Sequence, residues 1–195
     1  MVRAILEGWK TQTRRIVKPQ PEWDGKWFSW NGHAPGSKYG ACAGNGLHVL
    51  PAMATNCKYG VPGDRLWVRE TFAHQAAEYE WSASNSIPVV PAETWYRADF
   101  ADAESHNKTM PWKPSIHMPR SASRITLEVT GVRVERLQDI SEADARAEGV
   151  DRHAPGEIAD VAYRAPFRSL WGDINGAGSW DANPWVWVVE FQRIS

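Results

Sequence analysis

Cysteine is scarce in this chain. Cys42 and Cys57 are the only thiols among 195 residues, too few for a disulfide framework, so the fold must rest on its core and a reducing compartment, the cytoplasm, is expected. Long apolar runs are missing as well: no stretch reaches the roughly 18 residues that a membrane-spanning helix needs, so no membrane partner is expected. Met1-Val2-Arg3-Ala4-Ile5-Leu6 meets Glu7 at once, unlike a secretory signal. Excess charge is lacking too. A net charge of −1 excludes a protein that coats nucleic acid indiscriminately. There is no Gly-x-Ser-x-Gly and no Walker-type glycine loop, which removes the commonest serine-hydrolase and phosphate-loop chemistries. With no paired Cys-x-x-Cys knuckle, Cys42, His48 and Cys57 read as two thiols and a surface histidine in preference to a zinc site, and no metal or other cofactor is expected.

What is present is unevenly spread. The first twenty residues carry Arg3, Lys10, Arg14, Arg15 and Lys18 against Glu7 alone, so a local basic site is compatible with a neutral whole. Twelve tryptophans are a large excess; most are expected as core or interface anchors, with some able to stack on a base.

The length fits one domain with a sizeable core. Val2, Ile5, Leu6 and Trp9 predict an opening turn or two of amphipathic helix, which Gly8 weakens. Lys10 to Lys18 then leads to a break at Pro19-Gln20-Pro21. Residues 22–60 read as a long loop with short strands at most, and Val61-Pro62-Gly63-Asp64 as a turn into a strand from Arg65 to Glu70. Residues 74–118 read as irregular apart from a strand around Thr94-Trp95-Tyr96-Arg97. From Arg124 a long strand is predicted: Ile125, Leu127 and Val129 alternate, then Val132 and Val134 continue on the other parity, so a bulge or bend is expected at Thr130-Gly131. Ser141 is the N-cap of a predicted helix to Glu148, ended by Gly149. Pro166 can open another, with Phe167, Leu170, Trp171 and Ile174 on one face. Trp185 to Phe191 is the strongest strand. The fold class is therefore α+β, mainly β: a curved sheet with a few short helices.

The most informative run is Gly8-Trp9-Lys10-Thr11-Gln12-Thr13-Arg14-Arg15. A lysine of lowered pKa can act as a base, a threonine hydroxyl beside it as a nucleophile, and arginines can hold a phosphate or an oxyanion. Against this stands a plain alternative, a solvated basic cluster after a short helix, favoured by the helix dipole. Trp112-Lys113-Pro114-Ser115-Ile116-His117-Met118-Pro119-Arg120 interleaves aromatic, basic and polar groups. It fits a base pocket, with Trp112 stacking and His117 or Arg120 bonding, and equally a proline-pinned cover.

Gly8-x-Lys10-x-x-Thr13-x-Arg15 resembles the signature of the ASCH superfamily, Gly-x-Lys-x-x-Glu-x-Arg. The Pro62-Gly63-Asp64 turn, the strand from Arg124, the segment Ser141 to Gly149 and the terminal strand match in the same order and together cover roughly half the chain. The whole is most similar to ASCH-like proteins of bacteriophages and prophages. The resemblance implies a β-barrel like the PUA domain of RNA-modifying proteins, in one domain over 1–195 with loop insertions at about 22–60 and 74–118. Two features depart from the family: a strand normally precedes the first helix, and the insertions exceed those of the small hydrolases.

One branch of the superfamily hydrolyses N(4)-acetylcytidine to cytidine and acetate, and has threonine where the signature has glutamate, as here at Thr13. The resemblance carries that branch's catalytic lysine onto Lys10, its nucleophile onto Thr13 and its glutamate onto Glu148. Thr13 would attack the acyl carbonyl, Lys10 would take its proton, and Glu148 would protonate the leaving amine or orient Lys10. Arg15 and Arg14 would assist in substrate binding, with Trp112, His117 and Arg120 as further candidates. The expected activity is amide hydrolysis on an N(4)-acylated cytosine nucleoside, nucleotide or base. The alternatives are a non-catalytic RNA- or nucleotide-binding module and a metal-independent ribonuclease. The expected partner is a modified cytosine nucleoside or nucleotide, with RNA as a further one.

Overall fold

A computed structural model describes residues 1–23, 28–30, 53–75, 78–81, 86–90, 93–100, 110–150 and 163–195. It is a mixed α/β protein made mostly of strands, with few helices. Its contacts gather into two compact units, Arg3–Leu66 with Leu127–Ile194, and Trp67–Thr126.

The first unit opens with helix α1 (Val2–Leu6). Its main sheet is antiparallel and curled like half a barrel, in the order β1 (Gln12–Ile16), β10 (Trp185–Arg193), β9 (Thr126–Arg136), β4 (Arg65–Trp67). A two-stranded ladder joins β2 (Glu22–Trp23) to β3 (Phe28–Ser29). β1 runs against β10 from Gln12 opposite Glu190 to Ile16 opposite Val186. Between β10 and β9 the register passes from Glu190 opposite Gly131 to Phe191 opposite Val129, leaving Thr130 as the extra residue. This is the bulge that the change of parity predicts.

Side chains alternate across this sheet, and each face has its own core. One face presents Ile16, Val186 and Val188 to helices α2 (Glu142–Ala147) and α3 (Arg164–Asn175), where Leu137, Ile140, Ala145, Phe167 and Trp171 close the cluster. The other gathers Val17, Met53, Cys57, Val129, Val134, Trp187 and Val189. Ser141 caps α2 as expected, its hydroxyl accepting from the Asp144 amide at 3.0 Å. The turn before β4 also forms, with the Asp64 amide donating to the Val61 carbonyl at 2.9 Å.

The second unit holds two antiparallel ladders, β5 (Phe72–Gln75) with β8 (Glu93–Tyr96), and β6 (Glu78–Trp81) with β7 (Ser86–Val90). Single 3-10 turns lie at Arg97–Asp99, Ser115–His117 and Arg120–Ala122. Phe72, Ala73, Met118 and Ile125 are buried. Buried Glu70 accepts two bonds from Arg124, both 3.0 Å, and Arg124 also bonds Asp99.

Residues 10–18, for which the sequence predicts no element, contain a strand, β1, hidden because Gln-Thr-Arg-Arg-Ile shows no apolar alternation. Three expectations need correction. The predicted strand from Arg65 to Glu70 stops at Trp67. Residues 74–118, expected to be irregular apart from one strand, also contain β6, β7 and part of β5; Pro88 inside β7 is a residue that argues against a strand in sequence. Ile174, placed on the apolar face of α3, is 60% exposed, since the helix buries only Phe167 and Trp171 fully. Cys42 and His48 lie outside the described residues, as does most of 22–60. Among the described residues no helix is long and apolar enough to cross a membrane.

Gly149 ends α2 at φ +76°, and a Cβ there would come within 2.8 Å of Lys10 Cβ and 3.0 Å of Ala4 Cβ. Gly8 ends α1 at φ +82° with open space around it. Each alanine substitution meets the left-handed backbone penalty of about 1–2 kcal/mol, and only Gly149→Ala adds a clash. Urea unfolding is expected to show the larger loss for Gly149→Ala. Equal losses would disprove the close approach of α2 to the α1–β1 junction.

Candidate functional site

The residues of the Gly8–Arg15 run are set by backbone bonds at the join of α1, β1 and α2. The amides of Trp9 and Lys10 both donate to the Ala4 carbonyl, at 3.0 and 2.9 Å, and the Thr11 amide donates to Ala147 at 2.9 Å. Lys10 is thereby held against the end of α2 with only 7% of its surface exposed. Its ammonium donates to the Glu148 carbonyl at 2.5 Å, the Gln12 carbonyl at 3.0 Å and Glu148 Oε2 at 3.2 Å. Three N–H donors meet three oxygens, so the group is saturated where it sits.

Glu148 is shared. Its Oε1 accepts from Arg14 Nη1 at 3.1 Å. Arg14, whose side chain is fully buried, also donates through Nη2 and Nε to Glu135 Oε1, at 2.5 and 3.1 Å, and lies 3.6 Å from Asp144. Arg133 continues the network to Glu135, Asp144 and Glu190. Gln12 Nε2 donates to the carbonyl and the carboxylate of Asp144 at 2.7 and 3.1 Å. Three cations and four carboxylates thus interlock beneath α2 on one face of the sheet. Burial pushes the Lys10 ammonium below its ordinary value, with Arg15 and Arg14 adding to that and Glu148 opposing it. Burial tends to raise Asp144, but bonds from Ser141 and Gln12 and the charges of Arg133 and Arg14 outweigh it, so its carboxyl stays below the usual range.

Thr13 and Arg15 alternate with Gln12 and Arg14 and belong to the opposite face of β1. There they line a cavity of about 500 Å³ together with Lys58, Tyr59, Asp64 and Arg65, over an apolar floor that includes Val189 and Leu66. Arg15 and Arg65 are exposed. Arg15 also donates to the Arg14 carbonyl at 3.1 Å, and the Lys58 ammonium stands 5.1 Å from the Tyr59 ring centre.

Of the residues expected to act together, Lys10 and Glu148 are joined and Thr13 stands apart from them. The hydrogen bonds of the Lys10 ammonium run to Gln12 and Glu148 and not to Thr13. Arg14, a candidate for substrate binding, has no exposed surface to offer a ligand. The plain alternative of a solvated basic cluster is also corrected, since Lys10 and Arg14 are both buried. His117 lines a cavity in the second unit, whereas Trp112 packs edge-on against Phe100 at 5.7 Å and exposed Arg120 opens a 3-10 turn. Sequence reasoning missed Lys58 and Tyr59, which carry no local pattern and reach the cavity only through folding; Asp64 was legible only as a turn residue and Arg65 only as the start of a strand. Cys57 is buried, and burial pushes its thiol up. Among the described residues no group of three or more His, Cys, Asp or Glu side chains is placed to hold a metal.

Glu148→Leu leaves two buried cations without their shared carboxylate and is expected to cost about 3–5 kcal/mol. Lys10→Met added to it should recover part of that loss, and urea unfolding of both variants checks this. Asp144 gives a pH signature. Its folded pKa lies below the unfolded value of about 3.9, so its stabilisation is complete above that value and is lost as pH falls through the lower folded one. Asp144→Asn should lower stability at pH 7 and flatten the acid limb below about pH 4; an unchanged limb would refute the assignment.

No protein-family model, curated protein or solved structure matches this chain.

Proposed function

We propose that the chain recognises a cytosine nucleoside, nucleotide or RNA residue in the Thr13–Arg15 cavity, on an ASCH-type, PUA-like sheet. The observation that carries this reading is the lining of that cavity. Among the described residues of the lining, Arg15, Lys58 and Arg65 supply three cations against the single carboxylate of Asp64, and Thr13 and Tyr59 add a hydroxyl and an aromatic ring. Cations suit a phosphate, and a ring suits a base. The choice of cytosine comes from the resemblance of the Gly8–Arg15 run, whose signature residues Thr13 and Arg15 both face this cavity.

A second reading adds amide hydrolysis of an N(4)-acylated cytosine. Burial of Lys10, its lowered ammonium pKa and its contact with Glu148 at 3.2 Å favour it. In that reaction the Thr13 hydroxyl oxygen bonds to the acyl carbon while its proton passes to neutral Lys10. The bond between the acyl carbon and N(4) then breaks as that proton passes from Lys10, by way of the Glu148 carboxylate, to the leaving amine, and water cleaves the acyl ester to release the acid and restore the Thr13 hydroxyl. For this Lys10 must exchange one of its present carbonyl contacts for the Thr13 hydroxyl.

Titration with cytidine 5′-monophosphate and cytidine tests the first reading. The phosphate is expected to tighten binding, and Arg15→Ala should weaken the nucleotide by about tenfold, the size of one charge-assisted hydrogen bond. No saturable binding of either would overturn it. Incubation with N(4)-acetylcytidine tests the second. Turnover lost in both Lys10→Ala and Thr13→Ala would establish it, and absence of turnover in the folded protein would remove it and leave recognition alone.

A further inference from the structure

The second unit contains a cavity of about 570 Å³ that the reading above does not use. Its wall is built by backbone pairing. On β5, Phe72 and His74 share a face two residues apart, and Phe72 is buried at the floor. Lys113 is fixed opposite Phe72 by two backbone bonds, the Lys113 amide to the Phe72 carbonyl at 2.7 Å and the reverse at 3.2 Å. His117 sits on the 3-10 turn Ser115–His117, between Pro114 and Pro119, with its amide bonded to the Pro114 carbonyl at 3.0 Å. Across the ladder, Thr94 stands opposite His74, and its hydroxyl lies 3.1 Å from His74 Nδ1. Ser121 completes the polar rim.

The chemistry of this lining has one sign. An ammonium, two imidazoles and two hydroxyls converge, and no carboxylate is among the described residues that line the cavity. The Thr94 hydroxyl, within hydrogen-bond reach of His74 Nδ1, steadies the ring at the edge of the cavity. One ammonium flanked by two imidazoles and two hydroxyls, around an aromatic floor, matches an anion with several terminal oxygens and an apolar substituent. We propose that this cavity is a binding site for a phosphate monoester with a small apolar or aromatic body, separate from the Thr13–Arg15 cavity.

The experiment is a titration of the full chain with phenyl phosphate, inorganic phosphate and phenol, followed by the histidine ring signals in NMR. Phenyl phosphate is expected to shift the His74 and His117 rings saturably and to bind more tightly than inorganic phosphate, with phenol weakest. Lys113→Ala and His117→Gln, both changes of exposed side chains, should each weaken phenyl phosphate by about tenfold, one charge-assisted hydrogen bond. Arg15→Ala should leave it unchanged. Absence of saturable shifts overturns the proposal. So does weakening by Arg15→Ala with none by Lys113→Ala, which would put the anion in the first cavity. Failure of cytidine 5′-monophosphate to bind, with phenyl phosphate still shifting both histidines, would overturn the first reading and leave this one standing.

Discussion

The placement of the Gly8–Arg15 run depends on one carboxylate, Glu148, lying between Lys10 and Arg14. Taking these charges out of water costs several kcal/mol per ion, and close geometry with complete hydrogen bonding offsets that cost. Lys10 bonds the Glu148 carbonyl as well as its side chain. It thus acts as a cation at the C-terminus of α2, where helix carbonyls have no partner of their own and the dipole is negative. A contact across 138 positions of sequence ties the start of the chain to that helix end. It fixes which side chains of β1 face inwards, and so which face outwards.

That choice divides the Gly8–Arg15 run. A strand has a period of two, so Gln12 and Arg14 go to the packed face, where Lys10 is already held against the end of α2, and Thr13 and Arg15 go to the cavity. Charge at Lys10 and Arg14 serves folding, and the hydroxyl of Thr13 and the guanidinium of Arg15 are left on the face of the proposed ligand. Burial and the ion pair act on Lys10 in opposite directions, and burial is the larger. A lysine of this kind is therefore explained by structure alone, and its lowered pKa supports catalysis only if its contacts can rearrange towards Thr13.

Much of the fold was legible because it follows from local chemistry. Ser141 and Gly149 bracket α2, the Val61–Asp64 turn precedes β4, and the parity change at Thr130-Gly131 marks the bulge. β1 was illegible for a physical reason. Strand prediction reads hydrocarbon alternation, and the inward face of β1 is lined by Gln12 and Arg14, whose partners Glu135, Asp144 and Glu148 come from β9 and α2. The candidate site was legible by half. The motif pointed to Lys10, Thr13 and Arg15 and the resemblance to Glu148, while Lys58 and Tyr59 have no periodic or motif signal, Arg65 was legible only as the start of a strand, and all three meet Arg15 only in three dimensions.

The same accounting changes what net charge says about partners. A value of −1 argues against broad binding to polyanions, but that sum counts acids that are already paired with the chain's own cations. Glu135, Asp144, Glu148 and Glu190 are engaged with Lys10, Arg14 and Arg133. Glu70 and Asp99 are engaged with Arg124. Arginines laid over aromatic rings, Arg136 on Trp185 at 4.4 Å and Arg69 on Trp67 at 4.7 Å, similarly use part of the tryptophan excess in packing and not in stacking on a base. What faces a cavity is a different population: Arg15, Lys58 and Arg65 in one unit, and Lys113 with two histidines in the other. A nearly neutral chain can therefore present a cavity lined by Arg15, Lys58 and Arg65, because many of its carboxylates are paired with other cations.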